Sequence, residues 1–208
     1  MEIGTQILVP QMTKNPLAEK FKNYKLILAS GSPRRKKFFE DLGLDFEIRI
    51  KAVEEVYPEK LTGEKIASYL AELKASAFKG ALKQNEILVT SDTVVWHNNE
   101  SLAKAVNKNE AVEMLKKLSG QWHDVITAVC FTTSTNQKTV SSTTKVKLAK
   151  LSLAEINYYI DSFKPFDKAG AYGIQEWIGL IAIEEIKGSY TNVVGLPTQL
   201  VYKTLSNF

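Results

Sequence analysis

The chain has 208 residues, 44% of them hydrophobic and 24% charged, with a net charge of +4. This is the composition of an ordinary globular protein, and it excludes a fibrous or low-complexity chain. No apolar run approaches the ~20 residues that span a bilayer, and no secretory signal is visible, so we expect no membrane partner. The single cysteine, Cys130, excludes an internal disulfide and favours a cytoplasmic location. Mild basicity without Lys/Arg tails suits an anionic ligand better than nucleic acid.

The chain is predicted to hold an N-terminal arm and one domain. Residues 1–24 carry no clear hydrophobic period and are expected to be a tail or a loosely attached arm. Residues 25–208 show neither an internal repeat nor a Gly/Ser/Pro linker, which predicts a single domain. That domain opens with an apolar strand at 26–29, a Ser/Gly turn and a helix at 33–42.

The start of the helix at 33–42 carries charges that oppose its dipole. Ser32 fits the N-cap, and Pro33 fits the first helical position. Arg34 and Arg35 follow, although cations at this end cost about 0.3–1 kcal/mol each where exposed. A phosphate bound at the first turn would remove the conflict, because free N–H groups and guanidinium donors both favour it. A solvated basic face is the alternative.

Strands and helices alternate along the rest of the chain. The first half is predicted to hold a strand at 44–50, a helix at 62–83, a strand at 86–96 with a hairpin turn at 98–99, and a helix at 109–118. Two paired β runs follow, at 122–133 and 138–148, and then a helix at 152–162. The chain continues with a glycine-rich irregular segment at 167–175, a β run at 178–186 and a helix at 195–205. Interleaved strands and helices with hairpins predict an α/β fold, a mixed sheet with flanking helices.

One acidic side chain interrupts an apolar strand. Asp92 shares a pleat face with Leu88, Val94 and Trp96 in the strand predicted at 86–96. A buried unpaired carboxylate is costly, so it must be neutralised, find partners or bind a cation. Asp92 is either a metal ligand or general base beside phosphate, or a strand-end residue that caps a turn.

Further charged residues fit an anion site but also fit ordinary solvated surface. They are Glu55, Lys74 and Lys104. The glycine-rich segment has no obvious structural need for three polar residues that it contains, namely Asp167, Lys168 and Gln175. Two histidines and one cysteine disfavour a zinc site, so a divalent ion would need carboxylate ligands.

Five segments, taken in order, carry a shared pattern. They are "LASGSPRR" (28–35), "SDTVV" (91–95), "MLKKLSGQWHDVITAV" (114–129), "DKAGAYGIQ" (167–175) and "GSYTNVVGLP" (188–197). Together they resemble the signatures of the Maf family of nucleoside triphosphate pyrophosphatases, historically labelled septum-formation inhibitors. The resemblance extends from about residue 25 to residue 205.

The resemblance implies an elongated, two-lobed fold related to the inosine triphosphate pyrophosphatases, with a central cleft. It also implies metal-assisted hydrolysis of a nucleoside triphosphate, dTTP or UTP above all, to the monophosphate and pyrophosphate. The same hydrolysis would also remove modified nucleotides, a role called house-cleaning. Mg²⁺ or Mn²⁺ is the implied cofactor, since both suit oxygen ligands. The family further suggests a homodimer.

The same resemblance assigns roles to individual positions. It implies a catalytic base at Asp92 and metal ligands at Asp92 and Glu55. The implied phosphate-binding group consists of Ser30, Arg34, Arg35, Glu55, Lys74 and Lys104. The positions that match the family's specificity residues are Arg34, Thr93 and Gln175.

Two alternatives stay open. The first is a 7-methyl-GTP pyrophosphatase, which a substrate panel would separate from the dTTP/UTP branch. The second is a nucleic-acid-binding or division-regulating module, as the old family label suggests. That module would show a basic, aromatic-lined surface and steeply salt-dependent binding.

Overall fold

One mixed sheet organises residues 15–208, the part of the chain that the computed structural model describes. Its strands are β1 (Lys25–Leu28), β2 (Phe46–Ile48), β3 (Glu86–His97), β4 (Glu100–Leu102), β5 (Trp122–Thr132), β6 (Gln137–Leu148) and β7 (Ile183–Lys187). They lie in the order β2-β1-β3-β5-β6-β7, and β4 pairs with the last residues of β3. β1 runs parallel to β2 and β3, whereas the other pairs are antiparallel. The predicted α/β fold with a mixed sheet is confirmed.

Helices flank the sheet. They are α1 (Pro16–Lys20), α2 (Pro33–Asp41), α3 (Glu64–Ser76), α4 (Lys108–Leu118), α5 (Leu153–Phe163), α6 (Trp177–Ala182), α7 (Tyr190–Val194) and α8 (Thr198–Ser206). Local sequence sets several starts, because Ser32, Asn107 and Ser152 each accept a backbone N–H at an N-terminus. Across residues 15–208, no helix has the length and apolarity to cross a membrane.

The central strand β3 separates the core into clusters. Ile87 and Val89 pack with α1, α2 and α8 on one face, whereas Leu88 packs with α3 on the other. Val95, further along β3, belongs to a third cluster that includes α4, α5 and α6. The stretch between Val89 and Val95 therefore lies where the clusters meet, and it is there that β3 carries polar side chains.

Part of the expected N-terminal arm is packed rather than loose. Residues 1–14 lie outside the described residues, but Asn15 caps α1 by accepting the N–H of Leu17 at 2.9 Å. Leu17 and Phe21 are buried in the cluster that holds α8. The expectation of a loose arm is thus wrong for residues 15–24. No local pattern predicts this packing, because a five-residue helix is too short to show a hydrophobic period.

Two predicted segments have different bounds in the structure. The β run predicted at 178–186 is a helix first, α6, and becomes a strand only at Ile183–Lys187, where pairing with β6 begins. An apolar run without a period does not distinguish these states, so tertiary pairing decides. The helix predicted at 62–83 ends at Ser76, and Gly80 follows with a φ of +72°, outside the helical range.

Gly179 in α6 is a position where any side chain would collide with backbone. A Cβ there would lie 1.7 Å from the carbonyl oxygen of Ile174. We expect Gly179→Ala to lower the free energy of unfolding by about 3 kcal/mol, measured by urea denaturation, because the backbone must shift to relieve the overlap. Gly31→Ala is the matched control, since its Cβ would meet only the side chain of Ile50, at 3.6 Å. Equal destabilisation by the two changes would contradict the expectation.

Candidate active site

The turn between β1 and α2 has the features that the sequence predicted. Ser32 caps α2, and its hydroxyl accepts the N–H of Arg35 at 3.4 Å. The hydroxyl of Ser30 accepts the N–H of Ser32 at 3.2 Å, which tightens the turn. The positive end of the helix therefore lies beside hydroxyls and cations, an arrangement that favours an anion.

Arg35 turns into the protein rather than toward solvent. Its Nε donates to the carbonyl oxygen of Gly195 at 2.9 Å, and its Nη1 donates to that of Ser91 at 2.9 Å. Its Nη2 donates to the Thr93 hydroxyl at 3.0 Å, and Nη1 also reaches the Ser30 hydroxyl at 3.5 Å. Burial disfavours the charged guanidinium and lowers the pKa of Arg35. Most of its donors are thus used to join α2, β3 and the turn after α7.

Arg34 lies closer to solvent and pairs across the cleft. Its Nη1 is 3.0 Å from Asp167 Oδ2, and Asp167 Oδ1 also accepts from Lys168 Nζ at 2.7 Å. Partial burial works to raise the pKa of Asp167, but the hydrogen bonds from Lys168 and Arg34 outweigh it and hold that pKa below its ordinary value. This contact brings the start of α2 together with the glycine-rich segment.

A carboxylate–lysine–carboxylate arrangement lies at the centre of the site. Asp92 is 8% exposed and sits in the middle of β3, which excludes the strand-end interpretation. Lys74, from α3, places its Nζ 2.6 Å from Asp92 Oδ1 and 3.1 Å from Glu55 Oε1. The ammonium of Lys74 thus pairs with acids instead of extending into water, as the surface alternative would require.

Glu55 comes from the loop between β2 and α3. Its partial burial favours the neutral form, yet the positive charges of Lys74, Lys104 and Arg35 prevail and lower its pKa. The backbone of Lys104 forms a bridge with Ala169, which brings the loop after β4 against the glycine-rich segment. The site therefore collects cations from both sides of the cleft around one acidic pair.

The specificity candidates occupy different surroundings. The Thr93 hydroxyl accepts from Arg35 and shares a 3.0 Å hydrogen bond with the Thr127 hydroxyl, so it is tied to the protein. Gln175 lies beside Gly173, where a Cβ would come within 2.9 Å of the Gln175 Nε2. Gln175 lines the cleft at the glycine-rich end.

Two adjoining cavities make up the cleft. One, of about 340 Å³, is lined by Asp92, Thr93, Lys168, Tyr172 and Gln175 among others. The other, of about 470 Å³, is lined by Ser30, Gly31, Pro33 and Ser91 among others. Several residues line both: Ser32, Arg34, Arg35, Glu55, Lys74, Lys104 and Asp167. All residues that the sequence proposed for the site therefore surround one cleft.

The residues present fit a divalent ion that a substrate helps to bind. Asp92 and Glu55 converge on one point, now taken by the ammonium of Lys74. In the described part of the chain, no group of three or more His, Cys, Asp or Glu could hold a metal. Mg²⁺ commonly binds through one or two carboxylates, with phosphates and water as the other ligands. The donor set thus suits Mg²⁺ or Mn²⁺ and does not form an all-protein metal site.

Tyr159 and Glu176 are neighbours of the site that the sequence analysis missed. Glu176 Oε1 lies 3.0 Å from Lys168 Nζ, and Glu176 Oε2 accepts the hydroxyl of Tyr159. No spacing signals this contact, because it joins the middle of α5 to a residue at the start of α6. A glutamate next to Gln175 was the one visible hint.

The cleft combines hydroxyl groups, the start of a helix and several cations around a pair of carboxylates. These features define the class: an α/β protein with a cleft for a phosphorylated ligand. Comparison with known proteins agrees with this class. The chain belongs to the family described as Maf-like protein, whose model matches residues 25–208.

Curated relatives align over almost their full length. The dTTP/UTP pyrophosphatase of Flavobacterium johnsoniae is 58% identical over 190 residues, covering 91% of this chain and 98% of the relative. That of Flavobacterium psychrophilum is 59% identical over 191 residues, covering 92% and 98%. Among solved structures, a nucleoside-triphosphatase / dITP/XTP pyrophosphatase from Mycobacterium abscessus matches 88% of this chain and 97% of its own, with 14% identity and a TM-score of 0.41.

Proposed function

We propose that this protein hydrolyses nucleoside triphosphates, dTTP and UTP above all, to the monophosphate and pyrophosphate. The observation that carries the proposal is the buried carboxylate of Asp92, 2.6 Å from Lys74 Nζ, in a cleft that also contains the cationic start of α2. Relatives that are 58% and 59% identical bear the name dTTP/UTP pyrophosphatase, which supports this substrate class.

The triphosphate would bind where the two cavities meet. Arg34, Lys74 and Lys104 supply positive charge there, and the α2 turn with Ser30 supplies hydroxyl and N–H donors. Arg35 also belongs to this group, but its bonds to the protein make it a residue that fixes the turn more than one that reaches the ligand.

Asp92 is the proposed general base. A water molecule attacks the α-phosphorus in line, and its proton passes to the Asp92 carboxylate. The bond from the α-phosphorus to the oxygen that bridges to the β-phosphate breaks. Pyrophosphate carries away the electron pair of the broken bond, and the cations of the cleft stabilise the charge that grows on it. Lys74 holds Asp92 in one orientation before substrate arrives.

Asp92 and Glu55 are the proposed ligands of Mg²⁺ or Mn²⁺. When bound, the ion supplies neutralisation of phosphate charge and orientation of the phosphate oxygens. Lys74 must then share these carboxylates or release one of them, because its ammonium contacts both.

Nucleobase selection is proposed for Arg34, Thr93 and Gln175. Gln175 offers an amide, which can both donate and accept hydrogen bonds, at the glycine-rich end of the cleft. Thr93 acts through Arg35, whose guanidinium it helps to hold.

We also propose that the enzyme is cytoplasmic, because Cys130 is buried as a free thiol. We propose a homodimer because the family resemblance suggests one.

Pyrophosphate release from a panel of nucleotides tests the proposal. The panel contains dTTP, UTP, CTP, the purine triphosphates and 7-methyl-GTP, each with Mg²⁺, with Mn²⁺ and with EDTA. We expect release from dTTP and UTP that EDTA abolishes, because the carboxylate pair and the triphosphate together complete a divalent site.

Other outcomes of the panel would contradict the proposal. Release from 7-methyl-GTP alone would move the protein to that branch. Full activity in EDTA would remove the metal from the mechanism. Silence across the panel, together with steeply salt-dependent DNA or RNA binding, would favour the nucleic-acid-binding module.

A further inference from the structure

A hydrogen-bonded network supports the glycine-rich wall of the cleft from behind. Tyr159, on α5, is completely buried, and its hydroxyl donates to Glu176 Oε2. The same hydroxyl accepts the N–H of Gly173 at 2.9 Å. Glu176 Oε1 in turn lies 3.0 Å from Lys168 Nζ. The network thus runs from the core at α5 to a lysine that lines the cleft.

Lys168 is a buried cation that the proposed mechanism leaves without a role. Its side chain is 10% exposed, and its ammonium lies between Asp167 Oδ1, at 2.7 Å, and Glu176 Oε1, at 3.0 Å. A buried ammonium needs such partners, since an unpaired charge there would be strongly disfavoured. Removing either acid frees the ammonium to move, whereas both together fix it.

The network also fixes the main chain that carries Gln175. Gly173 accepts the N–H of Glu176 at 3.0 Å, which closes a tight turn around Gln175. A Cβ on Gly173 would lie 2.9 Å from Gln175 Nε2 and 2.9 Å from Glu176 Cδ, so both side chains pack on this glycine. Movement of Glu176 would therefore move the turn on which Gln175 sits.

We propose that Tyr159 and Glu176 are positioning residues that hold Lys168 and Gln175 and thereby set selectivity for uracil and thymine over cytosine. This inference rests on the proposed function. Uracil and thymine present an oxygen acceptor where cytosine presents an amino donor. An ammonium and an amide held in place distinguish these groups, whereas mobile ones adapt to either.

Two conservative substitutions test the inference. Glu176→Gln removes the charge that holds Lys168, and Tyr159→Phe removes the hydroxyl that holds Glu176 and Gly173. We expect each to lower the ratio of kcat/KM for UTP over CTP by on the order of 10- to 100-fold, mainly through KM for UTP, because small misplacements cost that much. Because both substitutions act on one network, the UTP/CTP ratio of the double variant should fall no further than that of the more affected single variant.

Matched controls and a binding measurement complete the test. Tyr158→Phe changes the neighbouring tyrosine of α5, which is 53% exposed, and Glu185→Gln removes an exposed acid that pairs with Lys187. Both controls should keep the wild-type ratio, and thermal melting should show that all variants are folded.

Dissociation constants of UTP and CTP, measured in an Asp92→Asn background, test selectivity without turnover. A fall in this binding ratio supports the inference. Folded variants with an unchanged ratio overturn it, whether or not the wild-type protein hydrolyses either nucleotide. A fall in kcat at constant KM and constant binding ratio would also overturn it, since the two residues would then act on the chemical step. Absence of pyrophosphate release from any wild-type assay would instead reject the proposed function.

Discussion

Asp92→Asn should lower kcat for dTTP by on the order of 10²- to 10⁴-fold, the contribution that a positioned general base makes. The amide cannot accept the proton of the attacking water. It has the size of the carboxylate, and its oxygen can still accept from Lys74, so the site keeps its shape. Single-turnover hydrolysis measures the effect on the chemical step, and the dissociation constant of dTTP measures the effect on binding. The dissociation constant should change little.

Asp124→Asn is the matched control for that experiment. Asp124 also lies on a central strand, β5, where it pairs with Trp96 of β3, but it lines a separate surface depression. Its kcat should equal that of the wild-type protein. Near-normal kcat in the Asp92 variant would remove Asp92 from the role of base, and a lost affinity for dTTP would make it a binding residue.

Arg35→Met should destabilise the protein far more than a change of the adjacent Arg34, because Arg35 makes several hydrogen bonds within the protein. The carbonyl oxygens of Gly195 and Ser91 lose their 2.9 Å donors, and Thr93 keeps only its bond to Thr127. Unsatisfied buried acceptors cost about 1–3 kcal/mol each, so the free energy of unfolding should fall by about 3 kcal/mol. Urea denaturation measures this value.

Arg34→Met is the natural comparison, because it changes the adjacent arginine. Its guanidinium makes one ion pair, with an Asp167 side chain that is 58% exposed, and such pairs contribute less than about 1 kcal/mol. The variant should therefore stay nearly as stable as wild type while its KM for dTTP rises. Equal losses of stability in the two variants would contradict the division of roles between Arg34 and Arg35.

The sequence was informative where a residue conflicted with its local surroundings. Asp92 inside an apolar strand and two arginines at a helix start are both locally unfavourable, and both line the cleft. Such conflicts are visible without coordinates, because strand period and helix dipole follow from the chain itself. The family resemblance then added Glu55, Lys74 and Lys104, which had no such signal of their own.

Other features depend on contacts that no local pattern encodes. The run at 178–186 divides into α6 and β7 because only its second part pairs with β6. Arg35 reads as a phosphate ligand from its position, yet its acceptors lie at Ser91 and Gly195, far along the chain. Glu176 has no distinguishing neighbour in sequence apart from Gln175. In each case the deciding partner comes from another element of the fold.

The bond from Arg35 to Gly195 joins positions 160 residues apart, and it has a consequence for synthesis of the chain. A nascent polypeptide can form β1 and α2 early, but the guanidinium finds this acceptor only after nearly everything else has left the ribosome. Closing so long a loop costs entropy that only the completed sheet repays. The cleft is therefore completed late in synthesis. An incomplete chain that stops before Gly195 would carry the cations of α2 but would lack a complete nucleotide-binding cleft.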